Sequence, residues 1–171
     1  PHSGENGFSL GENDAKLIGR IIDSDHTSTL EHLNFTFAVS GISRAMLAEL
    51  SRHRHSSLSV RSTRYTLKKS LTTPIPELVV SSGDKEVDKI IDNTMMAIVE
   101  LCKRRPDIGR DVIKYAIPEA LRVDLYWTIN ARSLRNVFKL RTSPATLPEF
   151  RQFCKQVWGE LPDQVKFIFQ D

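Results

Sequence analysis

The sequence predicts a helix-rich α+β fold: a single domain over residues 1–171 with a small, mostly antiparallel sheet. Three observations predict it. Leu121, Val123, Leu125, Trp127 and Ile129 alternate strictly, the period of a strand with one buried face. Val87, Ile90, Ile91, Thr94, Met95, Ile98 and Leu101 or Cys102 keep helical spacing over the longest stretch in the chain. A length of 171 residues, 40% hydrophobic and 26% charged, supplies one real core and falls short of two.

The elements follow in order. Residues 1–11 hold three glycines and no periodicity, so they read as loop. Asn13 or Asp14 is expected to cap a helix carrying Leu17, Ile18, Ile21 and Ile22. Leu33, Phe35, Phe37 and Val39 predict a strand, after which Ser40-Gly41 should turn the chain into a helix with Ile42, Ala45, Met46 and Leu50 inward. That helix brings Glu49, Arg52 and His53 to its C-terminal end, where the macrodipole favours cations. Residues 54–66 lack a helical stripe and are rich in Ser, so a structured loop or irregular strand is expected. Pro74 and Pro76 mark a further irregular connection, and Pro106 ends the long helix. A short helix with Ile108, Val112, Tyr115 and Ala116 inward should stop before Pro118. After the Leu121–Ile129 strand, helical spacing returns over 131–141 through Leu134, Val137 and Phe138. Thr146-Leu147-Pro148-Glu149 reads as a capping box for a helix bearing Phe150, Phe153, Cys154, Val157 and Trp158, and Val165–Phe169 as a last short element.

Composition narrows the function classes. A net charge of +3 is compatible with nucleotides or nucleic acid and decides neither. Two cysteines, Cys102 and Cys154, make neither a disulfide framework nor a zinc site, and a reducing cytoplasm is the simplest reading. No apolar run approaches the roughly 18 residues of a membrane span. The chain starts at Pro1 rather than Met, so residues ahead of it are expected.

Chemistry concentrates in two basic stretches. From Arg52 to Lys69 there are six Lys/Arg, two His and no acid. Such cations repel one another unless an anion sits among them, and the guanidinium fork with neighbouring serines suits phosphate. A second acid-free stretch holds Asn130, Arg132, Arg135, Asn136, Lys139 and Arg141. On a helix, Arg132, Asn136 and Lys139 share one sector, while Arg141 follows the apolar face inward, where a charge needs a partner or ligand. Gly41 and Gly83 are isolated, so neither a Rossmann fingerprint nor a P-loop is available, and phosphate must be held by side chains.

Arg52-His53-Arg54, seven residues, then Ser62 resembles the signature of the flavin-dependent thymidylate synthases. His26-Thr27-Ser28-Thr29-Leu30-Glu31-His32 resembles that family's flavin-proximal segment, and Asn130-Ala131-Arg132-Ser133-Leu134 with Asn136 and Leu140-Arg141 resembles its C-terminal signature. Matching pieces run in family order from about residue 15 to 160. The resemblance implies reductive methylation of dUMP to dTMP, with methylenetetrahydrofolate as donor and FAD and NADPH as source of the hydride. It also implies a homotetramer with active sites at subunit junctions. It places Ser28, Arg52, His53, Arg54, Val60, Asn130, Ala131, Arg132 and Asn136 at FAD, with His26 and Glu31 nearby. It places Glu49, Leu50, Ser51, Arg52, Val60, Arg61, Ser62, Thr63, Arg64, Lys114 and Arg141 at the nucleotide, with catalysis assigned to Arg141.

The residues can be weighed against that chemistry. Methyl transfer through a thiolate adduct would need a reactive cysteine, yet Cys102 and Cys154 both fall on apolar stripes. Hydride delivery from a reduced flavin needs no protein nucleophile. Ser62 reads as a nucleophile only if His53 serves as its base, and as a phosphate ligand beside Arg64 it needs nothing further. A fixed Arg141 cation against the pyrimidine would stabilise developing negative charge. His26 and His32 also read as ordinary surface or core histidines, His53 and His55 make a poor zinc pair, and Trp127 and Trp158 read as core. Departures from the family are Glu49 where Gln is common, Lys114 where Arg is usual, and Val60-Arg61 where some members have Glu-Leu. The family's N-terminal strand is not recognisable in residues 1–11 and is expected to be truncated or missing here. Two other functions compete: a small basic nucleic-acid-binding module and a scaffold whose basic loops merely collect anions.

Overall fold

In the computed structural model, residues 10–63 and 73–170 are described. Arg64 and Tyr65, and most of the glycine-bearing N-terminal stretch, lie outside them. The described residues gather into two compact units, one of residues 10–36, 53–56 and 128–170, the other of residues 37–52, 57–63 and 73–127. Three strands, β1 (Asn34–Ser43), β2 (Ser56–Val60) and β3 (Arg122–Asn130), form one antiparallel sheet in the order β1-β3-β2.

The first unit holds α1 (Glu12–Asp23), a 3-10 segment at Thr27–His32, and, later in the chain, helices α6 (Ala131–Arg141) and α7 (Pro148–Glu160). A closing 3-10 segment follows at Asp163–Phe169. Helix α6 packs against both 3-10 segments and α7. Ala131, Leu134, Val137 and Phe138 are its buried face, as the spacing predicts. Phe138 meets Phe169 edge-on at 5.7 Å, and Phe169 meets Phe35 at 5.9 Å, so the last segment is fixed by aromatic contacts. Asn130 caps α6 by accepting the Ser133 N–H at 2.8 Å.

Two helix starts differ from expectation. Helix α1 is capped at Gly11, and Asp14 sits at its third position, accepting the Gly11 N–H at 3.1 Å; neither Asn13 nor Asp14 is the cap. Its apolar stripe is only half-covered, with Leu17 exposed. The capping box at Thr146 does not form. Pro148, whose fixed φ suits the first helical position, starts α7 one residue later than the motif requires, and the Thr146 hydroxyl donates to the Leu140 carbonyl instead.

The second unit holds α2 (Arg44–Leu50), α3 (Ile75–Leu78), α4 (Lys85–Arg104) and α5 (Arg110–Ile113), the last running into a 3-10 turn at Lys114–Ala116. In β3, Val123, Leu125 and Trp127 are buried while Arg122 and Tyr126 are exposed, the alternation read from the sequence. Leu78, Val79, Met95, Ile98, Ile113 and Leu121 form one core cluster. Ser40-Gly41 does not end the first strand. Gly41 takes φ +73°, a left-handed value that a glycine absorbs inside the strand, and β1 runs on to Ser43, whose hydroxyl accepts the Met46 N–H to cap α2. The short helix after Pro106 is rotated from the expected stripe: Ile113 is buried, whereas Val112 and Tyr115 are exposed. Val87 and Ile90 on α4 are likewise exposed, so that helix buries only its Ile91, Met95, Ile98 and Cys102 side here.

The corner between Arg54 and β2 is made by His55 at φ +59°. Among non-glycine residues His tolerates this region, but a β-branched side chain does not. His55→Val is therefore expected to cost about 1–3 kcal/mol, with His55→Gly near neutral. Thermal melting of both variants checks this; equal melting temperatures would remove the left-handed corner.

Candidate active site

In the first unit, helical geometry carries Arg141 inward at the C-terminal end of α6. Its Nε donates to His53 Nε2 at 2.9 Å, and its guanidinium carbon lies 5.0 Å from the centre of the Phe150 ring. His53 is buried, 9% exposed, with its ring edge-on to Phe150 at 5.8 Å and 81°. A charge on the apolar face has thus found both a hydrogen-bond acceptor and an aromatic face. Sequence reading located Arg141 and His53 but missed Phe150, which it took as plain core; its position four residues before Cys154 on the α7 stripe gave no other signal.

Cys154 shares this neighbourhood. Burial pushes its thiol up to about 12, against a smaller opposing effect of the Arg141 charge. The reading of Cys154 as an unreactive core thiol agrees with that environment. Cys102 is partly buried and outside any disulfide, packed beside the second unit's core.

The basic stretches acquire acids in three dimensions. Arg132 Nη1 donates to Glu31 Oε1 at 2.6 Å, joining α6 to the 3-10 segment that also carries Ser28. Both side chains are about half exposed, so the pair orients more than it stabilises. Arg132, Asn136 and Lys139 are all exposed, as their shared sector predicts. Ser28, His26 and Arg54 are exposed too, and Arg54 has no acid partner among the described residues. Ala131 is fully buried and its N–H is spent on the Leu33 carbonyl, while Asn130 Oδ1 is spent on the cap. Any contact from these two must come from their remaining polar atoms.

In the second unit, Ala38, Ser40, Ser59, Val60, Arg61, Asp124 and Tyr126 line a cavity of about 480 Å³ on the sheet. Asp124 organises it. One carboxylate oxygen accepts from the Ser40 hydroxyl at 2.8 Å and the Gly41 N–H at 3.0 Å, the other from Arg61 Nη1 at 3.2 Å. Sequence reading named Val60 and Arg61 and missed Asp124, Ser40 and Tyr126; the strand alternation that set Asp124 and Tyr126 opposite Leu125 was the available signal. Arg52, Ser51 and Ser62 are exposed, Glu49 and Thr63 half-buried, and Leu50 fully buried so that only its backbone can meet a ligand. Lys114 pairs with Asp111 at 3.6 Å.

The Ser40 hydrogen bond, then Gly41 and Arg61, hold Asp124 below the ordinary value of 3.8, with burial opposing. A depressed carboxylate stabilises the fold above its unfolded value and loses that contribution as pH falls through its folded value. Melting temperature is therefore expected to fall below pH 3.8 in the wild type and to fall less steeply there in Asp124→Asn. Parallel pH profiles would show that Asp124 carries no such linkage.

Among the described residues no helix is long and apolar enough to cross a membrane, and no group of three His, Cys, Asp or Glu side chains could hold a metal ion. A helix-rich α+β protein with exposed guanidinium groups and no glycine-rich loop among the described residues is the class these features define. The family model described as thymidylate synthase complementing protein matches residues 3–165. The flavin-dependent thymidylate synthase of Campylobacter jejuni (strain RM1221) is 40% identical over 176 residues, covering 97% of this chain and 84% of its own length. That of Wolinella succinogenes is 40% identical over 171 residues, covering 93% and 82%. The crystal structure of Helicobacter pylori thymidylate synthase X with FAD and dUMP superposes with a TM-score of 0.88 at 35% identity, over 96% of this chain and 85% of that one. The chain belongs to the flavin-dependent thymidylate synthase family and is a thymidylate synthase of that type.

Proposed function

We propose that this enzyme methylates dUMP reductively, with methylenetetrahydrofolate as one-carbon donor and NADPH as reductant, and that its cytoplasmic form is a homotetramer with shared sites. The family match spans both compact units, which supports reading residues 1–171 as one functional domain.

The donor set fits FAD. Its pyrophosphate calls for fixed cations and neutral hydroxyls, and the first unit offers exposed Arg54, Arg132 oriented by Glu31, and Ser28. His26, Asn130 and Asn136 complete that side, and the family pattern adds Arg52 and Val60 to the cofactor's residues. FAD, when bound, supplies the reducing equivalents. For the nucleotide, Ser62, Arg61 and the backbone around Thr63 offer donors to phosphate, with Glu49, Leu50, Ser51 and Lys114 nearby in the family pattern; Arg64 completes the set and lies outside the described residues. Ser62 serves phosphate, since an alcohol nucleophile needs an acceptor imidazole and His53 Nε2 already accepts from Arg141.

The observation that carries the reading is Arg141 itself, a cation drawn inward and fixed by His53 and Phe150. Placed against the pyrimidine, it stabilises negative charge as the ring turns nucleophilic. Tritium release from dUMP labelled at C5 tests the whole: release is expected only when folate donor, NADPH and FAD are all present. Release independent of the folate, or none with all components, would overturn it.

A further inference from the structure

We infer that His53 is a positioning residue for Arg141, and that its Nε2 is not a flavin ligand. The inference deepens the proposal that Arg141 acts on the pyrimidine and rests on it.

A catalytic cation works only if it is already in place when charge develops. Arg141 ends a helix, where its side chain could sample many rotamers. The structure removes that freedom at two points. The hydrogen bond to His53 engages Nε, at the base of the guanidinium fork, so it fixes the plane of the group. The Phe150 ring, 5.0 Å away, sets its height. His53 is in turn held edge-on against the same ring at 81°, and it is nine-tenths buried. Ring, imidazole and guanidinium thus constrain one another. An Nε2 that accepts from Arg141 carries no proton, so the proton of the neutral ring sits on Nδ1. The same atom has no second lone pair for a cofactor.

Two variants and a spectrum test this in the full-length protein. His53→Gln keeps an acceptor at similar reach; His53→Phe keeps the ring volume against Phe150 and removes the acceptor. With FAD saturating, His53→Phe is expected to lower kcat roughly 10–100-fold while KM for dUMP changes less than about threefold, and His53→Gln to recover most of it. In an Arg141→Ala background, His53→Phe should add almost nothing, because the two act as one unit. Nitrogen-15 histidine NMR of the cofactor-free protein should show an unprotonated Nε2 for His53 that shifts in Arg141→Ala.

Additive losses in the double variant would overturn the inference. So would a Gln variant as slow as Phe, a protonated Nε2, or weakened FAD retention with normal turnover at saturation. If the wild type releases no tritium from dUMP, the reading of Arg141 fails, and the NMR result still decides whether His53 holds it. A His53→Phe chain that fails to fold leaves His53→Gln and the spectrum to decide.

Discussion

Arg141→Ala is expected to slow thymidylate formation by roughly 10²–10³ in a single turnover at saturating FAD, about 2.7–4 kcal/mol of barrier. The reasoning runs from placement. Arg141 follows the apolar face of α6, yet it is only part-buried, and the His53 imidazole and the Phe150 ring hold its guanidinium in place. A guanidinium fixed in one orientation is already in place when charge develops beside it. Arg141→Lys tests that point: it retains charge but loses both Nε–H and the planar fork, so its rate should lie between wild type and Ala. FAD retention, measured by absorbance after gel filtration, should change far less than rate. An Ala variant that loses FAD and regains full turnover on reconstitution would make Arg141 a cofactor ligand.

Phe150→Ala should have the largest effect on stability. The side chain is fully buried and meets Phe153 at 6.0 Å as well as His53 and Arg141. Truncation of a buried Phe costs about 3–5 kcal/mol, and at this chain length each kcal/mol moves the melting temperature by about 2–4 °C. A drop of roughly 6–20 °C follows. Phe150→Leu separates packing from the aromatic contacts: it refills most of the volume, so stability should recover to within about 1.5 kcal/mol. The rate should stay low, because an aliphatic side chain offers no π-face to the guanidinium. If Leu restores both melting temperature and turnover, the ring is plain core and no part of the site.

How much of this was legible in the sequence depended on whether a signal was local. The β3 alternation and the α6 stripe were legible because burial on one face imposes the period directly, and that stripe was what pointed Arg141 inward. Gly41 was misread because a glycine marks a permissive φ without saying whether the chain turns or a strand merely bends. Val112 and Tyr115 were misread because a four-residue helix is too short for periodicity to fix its rotation. The acids Glu31 and Asp124 could not be assigned to Arg132 and Arg61 at all, since those pairs close over 101 and 63 residues. Phe150 looked like any core aromatic, because its second role depends on what folds onto its face.

The enclosed sulfur of α7 has a pharmacological corollary. With its proton held until about pH 12, Cys154 offers no thiolate to maleimides, iodoacetamide or covalent warheads of that kind at any pH a cell reaches. Drug candidates aimed at this protein through that atom should find it inert, and noncovalent competition for the guanidinium-lined surface is the better chemical strategy.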